Sequence, residues 1–300
     1  MEFKSFTHTS DGVKRGYIES GTLKELWFHT GTTCNLSCSF CLEGSFPGND
    51  RLSEPTLAEL KPYIDEAVSL GVENLSFTGG EPFVNKDFVN ILEYASNLKP
   101  CLVLTNATKP LENYYEKILA IANGKENISF RVSIDHHTAE KHDVERGKGN
   151  FAKALKNMKK LQEQGFNVSL ARQSEKNEDK EVVNGLFQKV FNDYEIKADT
   201  RIISFPDFAP PSTQVDVPEI TEDCMTRYQN EETRAKFMCH YSRMIVKNGD
   251  SLKIFACTLV DDDDRYATMG TLAESMNTKT LLGHHRCFAC FSGGASCSEM

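Results

Sequence analysis

Between residues 24 and 210, short β-type runs alternate with amphipathic helical stretches, and this alternation limits the fold more than any other feature of the chain. Parallel neighbours in a sheet need a crossover long enough to hold a helix, so strand and helix in repetition imply a parallel sheet with helices on its outer side. Strands are expected at 26–30, 72–78, 101–105, 128–134, 167–171 and 201–205. The intervening helices carry ordinary signals. Thr56 and Glu59 form a capping box, Gly71 is a stop, and Leu57, Leu60, Ile64 and Val68 make a buried stripe, with Pro62 expected to kink that helix or move its start. Phe151, Leu155, Met158 and Leu161 repeat the stripe before Gly165 and read as a packing face with no chemistry.

Beyond residue 205 the pattern breaks at Pro206, Pro210 and Pro211, and cysteines become denser. This divides the chain into a core at 1–210 and a small module at 211–300. Inside the module Met244 to Val246 and Leu252 to Phe255 flank Asn248-Gly249, a pair suited to a tight hairpin. A formal charge of −9 argues against a broad nucleic-acid surface. The first residues lack an export signal, and no run approaches the roughly 20 apolar residues of a membrane helix, so a cytoplasmic protein with no membrane partner is expected. Ten cysteines, most of them grouped at ligand-like spacings, then point to metal rather than disulfides.

Cys34, Cys38 and Cys41 supply three thiolates within eight residues, in the loop after the first expected strand. Structural zinc takes four ligands, whereas a cubane iron–sulfur cluster can use three and leave one iron open. Zinc with His29 as a fourth ligand is the alternative on these residues alone. The three-then-two spacing, with aromatic Phe40 directly before the last cysteine, resembles the radical S-adenosylmethionine (SAM) superfamily over about residues 24–210. The resemblance implies an incomplete (β/α)6 TIM-like barrel and a [4Fe-4S] cluster whose open iron chelates the amino and carboxylate groups of SAM. It also implies reductive cleavage of SAM to a 5′-deoxyadenosyl radical that abstracts a substrate hydrogen.

Gly79-Gly80-Glu81-Pro82 follows the second strand and resembles the superfamily's second signature, which contacts the methionyl amino group; Gly80 and Glu81 are the main carry-over candidates. Ser133 and Asp135 close the fourth strand and Arg146 follows. By the same resemblance Ser133 would bond the ribose or carboxylate, and Arg146 would pair with the methionyl carboxylate. Asn106 ends the third strand, where many relatives have a glycine next and this chain has Ala107. Arg172 and Gln173 end the fifth and are candidate substrate contacts, since ligands of such folds gather at strand C-termini.

Cys239, Cys257, Cys287 and Cys290 make a closed set of four, suited to a second [4Fe-4S] cluster or to zinc. Their arrangement resembles the twitch module and the start of the longer SPASM module, with Cys224 and Cys297 as spare ligands. Asp261 to Asp264 read as a solvated loop, His284-His285 as flanking polarity and Cys101 as a small buried hydrophobe. The expected function is radical oxidation or dehydrogenation of a small polar metabolite, with flavodoxin or ferredoxin as electron donor and the second cluster as electron acceptor. The alternatives are cyclisation or rearrangement, peptide side-chain modification, and a non-catalytic zinc or iron–sulfur scaffold.

Overall fold

The computed structural model describes residues 6–122, 127–175, 177–206, 208–268 and 270–294. Its main sheet carries six parallel strands in chain order: β2 (Glu25–His29), β3 (Asn74–Thr78), β4 (Cys101–Thr105), β5 (Ile128–Ser133), β6 (Asn167–Gln173) and β7 (Ile202–Phe205). These match the expected strands to within two residues at each end. A shorter β1 (Tyr17–Glu19) precedes them and pairs antiparallel with β11 (Lys279–Leu281), tying the two ends of the chain together. The sheet is open: β7 is one end of the strand order.

Side chains of successive strand residues point to opposite faces, which divides the interior in two. Leu26 and Phe28 join Leu75, Phe77 and Phe130 against the helices, while Trp27 faces the other way into a second apolar cluster with Leu102 and Met244. The outer layer is α1 (Leu57–Ser69), α2 (Phe88–Ser96), α3 (Lys109–Ala122), α4 (Ala139–Arg146), α5 (Asn150–Glu163) and α6 (Lys180–Tyr194). In α1 the capping box forms as expected, the Glu59 carboxylate accepting from Thr56 N at 2.8 Å. Pro62 neither ends this helix nor moves its start. It lies on the exposed side together with Ala58, whose carbonyl it cannot bond but which faces solvent. The stripe Phe151, Leu155, Met158 and Leu161 is buried in α5.

The Asn248-Gly249 hairpin forms between β8 (Ser242–Asn248) and β9 (Ser251–Phe255), with Gly249 at φ +57°. It does not stand apart from the barrel. β8 lies parallel to β2, Trp27 opposite Met244, and β9 and β10 (Ala267–Thr268) continue the same sheet, which thus has nine strands. The apolar run Met244 to Val246 before Asn248-Gly249 specified a hairpin strand but carried no record of which further neighbour it would choose. That choice follows from β2, buried on both faces, needing a partner for its second edge.

Candidate functional site

Above the C-terminal ends of the strands lies a cavity of about 210 Å³. The cysteine loop after β2 forms one side. Cys34, Cys38 and Cys41 all line the cavity, opposite Gly79, Gly80, Ser133, Asp135 and Arg146. Burial pushes the Cys34 thiol up to about 12, with Glu81 and the two neighbouring cysteines adding to it, and raises Cys38 as well. Thiols so placed are protonated without a metal, and a cation must supply the field that makes them thiolates. Backbone N–H groups already point at the sulfurs: Leu36 N donates to Cys34 Sγ at 3.4 Å and Ser45 N to Cys41 Sγ at 3.3 Å. Such hydrogen bonds tune iron–sulfur potentials.

Two glycines let β3's end approach this loop. A Cβ on Gly80 would meet the backbone oxygens of Thr33 and Thr32 at 2.4 and 2.8 Å, and Gly79 has φ +144°. Gly80 N donates to Gly31 O at 2.9 Å, so the GGEP turn and the cysteine loop are one backbone-bonded unit. The carboxylate of Glu81 turns away from the cavity, contrary to the expectation that it would face the cofactor. It is buried and accepts from Thr105 Oγ1 at 2.8 Å, Asn106 N at 2.7 Å and Phe83 N at 3.3 Å. Burial lifts its pKa to about 7 against those three bonds. Pro82 is likewise buried, starting a short 3-10 turn. Glu81 therefore acts on the site through Asn106, which lines the cavity and whose Nδ2 donates to Asn35 Oδ1 at 3.0 Å and to Cys34 Sγ at 3.8 Å. Ala107 sits at φ 51°, the conformation a glycine would adopt more easily.

On the far side Arg146, the last residue of α4, pairs through Nε with Asp135 Oδ2 and lies over the Phe40 ring, 5.7 Å from its centroid. Burial works against its charge, but Asp135 and the cysteine sulfurs outweigh burial and hold it cationic. The guanidinium thus sits beside the cysteine loop with nitrogens left for an anionic group. Arg172 and Gln173 also line the cavity, at the end of β6. Arg172 is not free to read a charged substrate, because its two Nη atoms bond both oxygens of Glu178.

Sequence reasoning missed the buried network beside the cysteines. His29 Nδ1 accepts from Gly31 N, so its proton is on Nε2, which donates to Glu43 at 3.0 Å. His29 is therefore committed to Glu43, which removes it as a fourth ligand for the cysteines. Arg51 joins Glu43 at 3.0 Å to Asp261 at 2.9 Å. Burial pushes Glu43 up, but His29 and Arg51 outweigh it and hold the carboxyl below its usual range; Asp261, also buried and facing Glu43, is raised. The expected solvated acidic loop is therefore wrong at its first two positions. Asp261 is 5% exposed, and Asp262 accepts from His284 Nε2 at 3.1 Å and Ser212 N at 2.7 Å. His284 correspondingly is a buried structural partner rather than flanking polarity. Of the four, only Asp264, paired with Lys253, is exposed.

The second cysteine set converges. Cys239, Cys257 and Cys287 are buried, Cys257 is raised by burial and then by the sulfurs of Cys239, Cys287 and Cys290, and Leu259 N donates to Cys257 Sγ at 3.5 Å, repeating the Cys34–Leu36 geometry. Cys287 and Cys290 lie on the last helix, His285–Gly293. Arg286 on that helix is 1% exposed and reaches back to the core, donating to Leu42 O at 3.0 Å, Ala209 O at 2.8 Å and Leu259 O at 3.3 Å. Cys224 is half-buried in a separate helix, its sulfur accepting from Thr221 Oγ1, and Cys297 lies outside the described residues. Cys101 is buried in β4.

Residues 28–172 match the family model of the Radical SAM superfamily. The chain is 34% identical over 140 residues to the antilisterial bacteriocin subtilosin biosynthesis protein AlbA of Bacillus subtilis (strain 168), a match covering 46% of this chain and 30% of AlbA. It is 31% identical over 134 residues to the mycofactocin maturase MftC of Mycolicibacterium smegmatis, covering 44% and 33%. The matches thus span about a third of each relative's length. Among solved structures, Streptococcus suis SuiB bound to its precursor peptide SuiA superposes with a TM-score of 0.62 at 16% identity, over 86% of this chain and 65% of SuiB, which supports the shared fold. Radical SAM domains use a [4Fe-4S] cluster and SAM, and this cavity suits both. It offers three sulfur donors, leaving a coordination position for the cosubstrate, a glycine turn with no room for side chains, and a guanidinium beside them. No helix among the described residues is long and apolar enough to cross a membrane.

Proposed function

We propose that this chain is a radical SAM enzyme that modifies a side chain of a peptide. The observation that carries the reading is a single cavity with two unlike halves. Three cysteines, Gly80 and the Arg146–Asp135 pair form one, and an apolar wall of Trp27, Leu104, Phe205 and Phe208 forms the other. Cys34, Cys38 and Cys41 would hold the cluster; Gly79, Gly80, Asn106, Ser133 and Arg146 would hold SAM. When bound, these groups supply a 5′-deoxyadenosyl radical. The protein's own part is to orient and to exclude water. Gly80 sets the closeness of approach, Arg146 offers charge-assisted hydrogen bonds to a carboxylate, and the apolar wall keeps solvent from the reacting carbon.

The peptide reading replaces the small polar metabolite expected from sequence. The named relatives AlbA and MftC belong to peptide-derived product pathways by their printed roles in bacteriocin biosynthesis and maturation, SuiB is solved with a precursor peptide, and the wall here is apolar. We further assign Cys239, Cys257, Cys287 and Cys290 to a second [4Fe-4S] cluster, accepting an electron from the substrate radical. Four thiolates suit such a cluster as they suit zinc, and the iron count below separates the two. A flavodoxin or ferredoxin would supply the reducing electron.

Anaerobic reconstitution with iron and sulfide, followed by dithionite and SAM, tests this. About eight irons per chain and 5′-deoxyadenosine formation that disappears in Cys34→Ala are expected. A fully loaded, reduced protein that forms no 5′-deoxyadenosine refutes the reading. About four irons with one zinc removes the second cluster.

A further inference from the structure

The apolar half of the cavity has its own chemistry. Trp27 and Phe208 belong to one contiguous hydrophobic cluster, with Leu104 and Phe205 packed against it, and the same cluster contains Cys239, Cys257 and Cys287. The wall therefore runs from the SAM site to the second cysteine set. Every charged residue that lines the cavity is already paired: Arg172 with Glu178, Arg146 with Asp135, and Glu43 with His29 and Arg51. Three side-chain groups of the lining residues, the Trp27 indole N–H, Arg172 Nε and Ser45 Oγ, are buried without a hydrogen-bond partner. None of them is a free charge, and the surface between them is apolar.

Resting on the peptide reading above, we infer that this half of the cavity is the pocket for the reacting residue, and that it selects an uncharged, largely apolar side chain. With Arg146 given to the carboxylate of SAM, a charged side chain would enter with no free counter-charge to meet it, and burying an unpaired charge is far costlier than burying a methylene is favourable. Phe205 ends β7 and Phe208 follows it, so part of the specificity wall is carried by the start of the segment linking the barrel to the cysteine-rich module. Arg172, a substrate contact by its place on the strand, is paired with Glu178 instead.

The chain has a single tryptophan, and it is Trp27. Its emission therefore reports this pocket alone. The reconstituted, SAM-loaded full chain is titrated anaerobically with N-acetyl-L-phenylalaninamide, N-acetyl-L-leucinamide, N-acetyl-L-lysinamide and N-acetyl-L-glutamate amide. The two apolar probes are expected to change Trp27 emission saturably and the two charged ones not. Phe208→Ala and, separately, Leu104→Ala should weaken the apolar probes by about tenfold while SAM binding is kept. Charged probes that bind as well as apolar ones, or apolar binding indifferent to both substitutions, would overturn the pocket assignment. So would no saturable response to any probe. Formation of 5′-deoxyadenosine in the same samples reports separately on the radical SAM reading, so the two can fail independently.

Discussion

Replacing Arg286 by methionine keeps the length and apolar stem of the side chain and removes its guanidinium. Three hydrogen bonds go with it, to the carbonyls of Leu42, Ala209 and Leu259. Bonds from a charged donor contribute about 1.5–3 kcal/mol each, a gross loss of roughly 4–9 kcal/mol. Against this stands the desolvation of a buried cation, several kcal/mol that methionine does not incur. The net loss is about 3 kcal/mol. At about 2.1 cal/mol/K per residue, unfolding entropy for a chain of this length is about 0.6 kcal/mol/K, so the midpoint should fall by about 5 °C. Anaerobic thermal unfolding followed by circular dichroism measures it. The location makes a second demand. Leu42 follows Cys41, Leu259 is two residues past Cys257, and Arg286 precedes Cys287, so one side chain ties both cysteine sets together. Iron incorporation at both sets should therefore drop in Arg286→Met and recover in part in Arg286→Lys. An unchanged midpoint together with full iron content would refute the reasoning.

Gly80→Ala should cost about 3 kcal/mol, because the new Cβ meets backbone oxygens that cannot swing aside, and should abolish SAM binding measured by equilibrium dialysis; wild-type affinity would contradict the close approach. His142 is buried against Phe151, and burial depresses its pKa from 6.5 to about 4. The fold favours its neutral form, so the stability it contributes is complete above pH 6.5 and is lost as pH falls through about 4. Urea midpoints from pH 7 to 4 should therefore decline less steeply in His142→Leu than in wild type, by on the order of 2 kcal/mol at the acid end. Glu81 has the opposite sign: its carboxyl is raised from 4.5 to about 7, so its contribution is complete below pH 4.5 and fades as pH rises through 7. Glu81→Gln should flatten that part of the profile, and an unchanged slope would show that the buried carboxyl titrates normally.

Much of this arrangement was legible in the chain because it is local. Period-two and period-3.6 hydrophobicity placed six strands and their helices, the capping box at Thr56 and Glu59 set a helix start, and cysteine spacing marked both clusters of sulfur ligands. Each of these signals is contained within a few residues. What the sequence could not specify were contacts between distant segments. That β8 would complete the free edge of β2, that Asp261 would be drawn into the interior by Arg51, and that Arg286 would bridge two loops depended on which surfaces met after collapse. The fate of Glu81 and Arg172 shows the same limit. Position at a strand end brings a residue to the cavity, but the direction of its charge is decided by the nearest buried partner, since an unpaired charge in the interior is too costly to leave free. Residue type and spacing thus determined the cofactor chemistry available to this protein, and only packing decided which polar groups were spent on holding the site.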